Sequence, residues 1–170
     1  YQRLKELSGL DEDEGDRFIT LDSPFNHCQQ GKLVIPKMHC EPLLENEVSH
    51  IAEMARFFRQ SLEQQVHKGI LVLFASQRAM QQFLSQVTEL RLMLLVQGDQ
   101  PRSRLIALHR QRVEAGEVSV LVGLQSFAEG LDLKGELLSQ VHIHKIAFPP
   151  IDSPVILTEG EWLKSQKRHP

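Results

Sequence analysis

Short apolar runs and longer amphipathic stretches alternate along most of this chain. Ile70-Leu-Val-Leu-Phe-Ala75 and Leu92-Met-Leu-Leu-Val96 are apolar without alternation, the pattern of strands covered on both faces. Val118-Ser-Val-Leu-Val122 reads as a third buried strand and Val141-His-Ile-His-Lys-Ile146 as a fourth. Between them, apolar residues recur at steps of three and four. Asn46 is placed to cap a helix running to about His67, with Val48, Ile51, Ala55, Phe58 and Leu62 on one stripe and Gly69 as its stop. Ser76 is placed to cap a second helix, whose apolar side is Met80, Phe83, Leu84 and Val87. A third starts with Pro101 at its first position and runs to Glu114. It carries Arg102, Arg104, His109, Arg110 and Arg112, keeps Leu105, Ile106 and Leu108 inside, and ends at Gly116.

The flanks are less regular. Gln2–Leu7 reads as a short helix before Gly9, and the acidic run of residues 11–16 as a solvated loop. Arg17–Asp22 and Gly31–Pro36 are strand candidates, bounded by Ser23-Pro24 and Pro36. Phe148–Pro154 is rigid turn material, followed by a partly helical tail. Strand and helix repeat at about 25 residues, which argues an α/β fold, a parallel sheet with helices on both faces.

A parallel sheet gathers the carboxyl ends of its strands at one edge, where ligands of such folds bind. Ser76, Gln97–Asp99, Gly123–Gly135 and Phe148–Pro154 would meet there. The longest of these is the candidate site: Gly123 breaks the strand into a polar loop carrying Ser126, Glu129, Gly130 and Asp132. An ordinary turn, with glycines at positive φ and acids facing water, explains the same residues, and spacing alone leaves the two readings even.

Composition narrows the classes. At 170 residues, 41% hydrophobic and 24% charged, the chain suits one soluble domain with a substantial core. It has no apolar run of membrane-spanning length and no leader-like start; opening on Tyr1 and closing on Pro170, it reads as a piece of something longer. A net charge of −3 gives no electrostatic case for nucleic acid by itself, although binding to phosphates depends on the local patch. Cys28 and Cys40, each preceded by histidine, match no zinc spacing and read as reduced, cytoplasmic thiols.

Self-sufficient catalytic motifs are missing. Gly31-Lys32 has Asn26 where a phosphate loop needs its first glycine, and no dinucleotide fingerprint, nucleophile elbow or His-Glu-x-x-His occurs. His142 and His144 share a strand face without a third metal ligand, so no metal site is assigned. Glu129 and Asp132 as an acid–base pair lack the apolar or basic neighbours that would separate their pKa values. The arginines of the third helix read as a solvated face in preference to a phosphate-binding one.

Leu71-Val-Leu-Phe-Ala-Ser76, Gln97-Gly-Asp99, Ser126-Phe-Ala-Glu-Gly-Leu-Asp132 and Phe148-Pro-Pro-Ile-Asp-Ser-Pro154 also follow one another in a recognisable order and spacing. Nearly the whole chain resembles the second motor domain of DinG-type helicases, bacterial relatives of XPD in superfamily 2. Ser-Phe-Ala-Glu-Gly-Leu-Asp is the specific element, and Ala75-Ser76-Gln-Arg-Ala-Met80 and Ser139-Gln-Val-His-Ile-His-Lys145 extend the likeness. The resemblance implies a RecA-like domain over residues 31–170, truncated at its C-terminal end, with residues 1–30 entering from a first motor domain. It implies half of an ATP-dependent DNA helicase that moves 5′ to 3′ on single-stranded or forked DNA, in repair or replication at the bacterial nucleoid. Glu129 and Asp132 would be catalytic and, with Gly130, would bind ATP. Ser76, Gln77, Arg78, Gln97, Gln125 and Ser126 would contact DNA, the first at a phosphate.

The departures are equally specific. The first motor domain, its phosphate-binding lysine, magnesium ligands and the cysteines of a 4Fe–4S cluster are not in this sequence, nor is the downstream arginine element. ATP, magnesium and the cluster are therefore expectations for the parent, and the fragment alone is expected to be inactive. Where the resemblance is set aside, a non-catalytic RecA-like binding or interaction domain is the runner-up. A small doubly wound enzyme using Glu129, Asp132 and His144 is a third reading.

Overall fold

The computed structural model describes residues 8–10, 14–64, 66–146 and 153–165, the side chains of residues 27 and 28 excepted. The predicted helix Gln2–Leu7, part of the acidic run and most of the Phe148–Pro154 turn lie outside them. The chain forms two compact units, Tyr1–Lys37 and Met38–Pro170.

In the first unit the backbone forms a helical turn, α1 (His27–Gln30). The two strand candidates are not strands. Neither Arg17–Asp22 nor Gly31–Pro36 takes strand form, and Ile19 and Leu33 are 79% and 86% exposed. Alternation supplies a strand with one face, but it needs a neighbouring backbone to take its N–H and C=O groups.

The second unit is a four-stranded sheet in the order β2-β3-β1-β4, with β1 Gly69–Phe74, β2 Leu94–Val96, β3 Ser119–Leu124 and β4 Gln140–Ile143. Every pairing is parallel: Leu71 lies opposite Leu121 on one side and Val141 on the other, and Leu95 opposite Leu121. The connecting helices are α2 (Glu47–Glu63), α3 (Gln77–Gln86), α4 (Arg102–Glu114) and the short α5 (Gln125–Ala128), with α6 (Pro154–Ser165) following β4.

All of β1 is buried, as the absence of alternation predicts. Ile70, Val72 and Phe74 pack with Ile51, Met54, Ala55 and Phe58 of α2 and Met80 and Phe83 of α3. Leu71 and Leu73 point the other way, to Leu105 of α4 and Phe127 of α5. The period of two thus divides one apolar run between two cores.

Several element ends differ from the sequence reading. Asn46 holds the cap position of α2 without a side-chain hydrogen bond, and the helix ends at Glu63. Val48 is exposed, and Met54 takes its place on the buried stripe. Gly69 is not a helix stop but the first residue of β1. A Cβ there would lie 2.2 Å from the carbonyl oxygen of Leu137, so only glycine lets the 3-10 turn Gly135–Leu138 approach. β2 begins at Leu94, leaving Leu92 exposed. Pro101 is the residue before α4 and not its first. Gly116, at φ 80°, closes α4: its N–H donates to Val113 O, and Glu117 N–H reaches Arg112 O at 2.9 Å, the paired bonds of a Schellman end.

Candidate functional site

Because the sheet is wholly parallel, the residues after β1, β2 and β3 come out at one edge. After β1, Ser76 is extended and caps α3, its hydroxyl accepting the Ala79 N–H at 3.2 Å. That hydroxyl keeps its own proton to donate, and the first amides of α3 have no partner within the helix. Gln77 and Arg78 are exposed beside it. Arg78 already has a duty: its Nε donates to Glu47 Oε2 at 2.6 Å, and Glu47 is buried. A buried carboxylate requires such a partner.

After β2, Gln97 joins two strand ends. Its backbone N–H donates to Val122 O and its side-chain oxygen accepts the Leu124 N–H, both at 2.8 Å. A cleft of about 490 Å³ lies between Gln97–Asp99 and Gln77 and Gln81 of α3, with Val96 beneath. This cleft puts Gln77 and Gln97 on one concave surface.

After β3 the structure corrects the sequence reading. The strand continues through Gly123 to Leu124, and Gln125–Ala128 is a helical turn where an open polar loop was expected. Phe127 explains both. It is buried against the sheet, and a Cβ at Gly123 would lie 2.7 Å from its ring. Gly123 therefore serves a close approach inside the strand and does not break it. Ala128–Leu131 then forms a type II turn: Glu129 has φ −61° and ψ 125°, Gly130 has φ 68°, and Leu131 N–H reaches Ala128 O at 3.1 Å. That geometry demands positive φ at its third residue, which glycine supplies.

The turn holds Glu129 and Asp132 exposed to solvent, with Lys134 Nζ 3.8 Å from Asp132 Oδ2. Gln125 and Ser126 are also exposed. The structure thus collects Ser76, Gln77, Arg78, Gln97, Gln125, Ser126, Glu129, Gly130 and Asp132 on one edge. Among the described residues it records no hydrogen bond between the Ser76 group and the Glu129–Asp132 group. Most of Phe148–Pro154, the fourth predicted contributor, lies outside the described residues.

Sequence reasoning missed what anchors the turn. Arg102 donates to the Glu129 carbonyl and sits 5.8 Å from the Phe127 ring centre, and Arg110 donates to the Asp132 carbonyl at 2.8 Å. His109, expected on the basic face, is fully buried instead. Its Nδ1 meets Ser119 Oγ at 2.9 Å and its Nε2 meets Leu137 O at 2.7 Å, so the neutral ring donates from Nε2. Burial pushes its pKa down, which favours that neutral form. The interior glycine of β3 was the one readable signal of close packing.

His142 and His144 turn inward, against α2. His142 packs on Phe58, and His144 sits 5.3 Å from the His50 ring and 5.7 Å from Phe74. Burial, then the neighbouring His50, holds the pKa of His144 down to about 4. Cys40 is a free, half-buried thiol. Among the described residues no group of three His, Cys, Asp or Glu could hold a metal ion. No helix among them is long and apolar enough to cross a membrane.

Residues 59–170 match the family described as helicase C-terminal domain. The full chain is 73% identical to the ATP-dependent DNA helicase DinG of Escherichia coli K12 and to that of strain CFT073, covering 24% of each. It is 32% identical over 161 residues to the protein of the same name from Photobacterium profundum, covering 92% of this chain and 22% of the relative. The chain thus spans about a quarter of the length of the curated relatives it matches.

Proposed function

Given that the chain belongs to the helicase C-terminal domain family, we propose that it supplies one half of the ATP cleft and of the single-stranded DNA track in an ATP-dependent DNA helicase moving 5′ to 3′. One observation carries this reading. The type II turn of Glu129–Gly130 and the Ser76-capped start of α3 stand at the same edge of one parallel sheet, the edge where such folds take their ligands.

The two groups suit different ligands. Glu129 and Asp132 are carboxylates, acceptors only when ionised; they repel phosphates but accept from ribose hydroxyls or an attacking water. Ser76 and the amino end of α3 offer donors, which suit phosphate oxygens and read no base. Gln125 and Ser126, one helical turn before the acids, place DNA contacts on the same short segment as the ATP contacts. That adjacency would couple hydrolysis to movement along the strand.

In this reading the phosphate-binding lysine, the magnesium ligands and the 4Fe–4S cysteines belong to the rest of the polypeptide. The boundary between the entry segment and the motor domain is placed near residue 30, and the 170-residue chain alone is inactive.

The test is ATP hydrolysis by the full-length polypeptide, with and without single-stranded DNA, beside the 170-residue chain. Strong stimulation in the former and no turnover in the latter is the expected outcome. Absence of stimulation in the full-length protein would sink the motor reading and favour a non-catalytic RecA-like binding domain.

A further inference from the structure

We propose that Arg102 and Arg110 are positioning residues: from the back of the sheet edge, α4 fastens the main chain of the Glu129–Asp132 turn in the geometry its acids need. This rests on the reading of that turn as part of the ATP site.

The turn has little of its own to hold it. Glu129, Gly130 and Asp132 are exposed, and one backbone bond, Leu131 N–H to Ala128 O, closes it. Three side chains of α4 reach the following carbonyls in order: Arg102 to Glu129, Arg110 to Asp132 at 2.8 Å, and His109 to Leu137 at 2.7 Å. Each bond leaves the carboxylates themselves untouched and pointing outward. Arg102 also covers the ring of Phe127, whose burial sets where the turn begins.

The placement of Arg102 needs such an explanation. It lies in the first turn of α4 beside Arg104, with no acidic residue in that turn. Positive charge at a helix amino end opposes the macrodipole. The Glu129 carbonyl offsets that for Arg102, whereas Arg104 has no partner among the described residues. Arg104 is therefore an internal control: same helix end, same charge, no contact with the turn.

If the fastened geometry is the one that binds ATP, loosening it lowers the competent fraction, and the apparent affinity falls by that fraction. The experiment uses the full-length polypeptide carrying Arg110→Ala, Arg110→Lys, Arg102→Ala or Arg104→Ala. It measures KM and kcat for ATP in saturating single-stranded DNA and amide exchange across residues 129–134. For Arg110→Ala we expect KM to rise about fivefold, a competent fraction of roughly one fifth, and exchange to quicken. Arg102→Ala should follow, Arg110→Lys should recover part of both, and Arg104→Ala should leave both within about twofold.

Unchanged exchange in Arg110→Ala overturns the fastening. Faster exchange with unchanged KM and kcat overturns its functional role, as does an equal effect of Arg104→Ala, which would mean charge and not contact. Asp132→Ala separates the two claims: if it leaves turnover intact, the ATP reading of the turn fails, while the exchange data still judge the fastening.

Discussion

Asp132 and Ser76 should fail in opposite ways. In the full-length polypeptide, Asp132→Ala should lower ATP turnover at least tenfold while DNA affinity stays within about threefold, since an ionised carboxylate only accepts hydrogen bonds and is repelled by phosphates. On the proposed reading, Ser76→Ala takes away one donor to phosphate and should weaken DNA about fivefold, with turnover at saturating DNA little changed. Equal losses of both properties in either variant would undo the division. Gly123→Ala should cost roughly 1–3 kcal/mol, because the added methyl meets Phe127 at 2.7 Å and Gln97 Oε1 at 2.9 Å; thermal unfolding measures it. The strand at Val118–Val122 was legible, but its continuation through Gly123 to Leu124 was not, because nothing local says which ring lies over a glycine. His144 gives a pH prediction. Its pKa falls from 6.5 to about 4 on folding, so the unfolded chain binds more protons below pH 6.5. Stability is full above that pH and is lost as pH drops towards 4. His144→Phe should flatten that loss and be no less stable at pH 7, because neither buried ring nitrogen has a partner among the described residues. Parallel denaturation curves for the two proteins between pH 7 and 4 would contradict it.

Between elements, Arg78 ties α3 to α2 through the buried Glu47. Arg78→Ala should destabilise the domain by on the order of 2 kcal/mol, the cost of a buried acid without its partner. That loss would mask any DNA role unless Glu47→Gln is added. The double variant should regain most of the stability; if DNA affinity returns with it, Arg78 is a structural residue only. The caps show the same limit of local reading. Ser76 was legible as a cap because its hydroxyl serves an amide three residues ahead. Asn46 looked equivalent, but a 3-10 turn, Leu44–Asn46, leads into α2 and its side chain makes no capping bond. The basic face of α4 was read from phase alone. Its arginines reach carbonyls 22 and 27 residues away in the chain, and periodicity carries no information about a carbonyl.

For the molecule as a whole, the sheet edge matters. β4 is an edge strand, and its outward Val141 and Ile143 are 47% and 60% exposed. An apolar edge whose outer side has no strand partner among the described residues invites a second chain. The 170-residue chain should therefore associate with rising concentration, and Ile143→Lys should suppress this in sedimentation; monomers at every concentration would refute it. The sequence by itself determined the parallel α/β class, the two-faced strands and the capped helix at Ser76. It also placed the polar segment after β3 at the carboxyl edge of the sheet, since apolar runs, period and cap chemistry are local properties that survive any arrangement of the rest. Tertiary structure alone decided that Arg17–Asp22 and Gly31–Pro36 do not become strands and that His109 is buried. It also decided that Gly123 stays in the strand and that α4 grips the turn by its carbonyls. Each of those depends on which backbone comes alongside, and a backbone carbonyl looks the same at every position in the sequence.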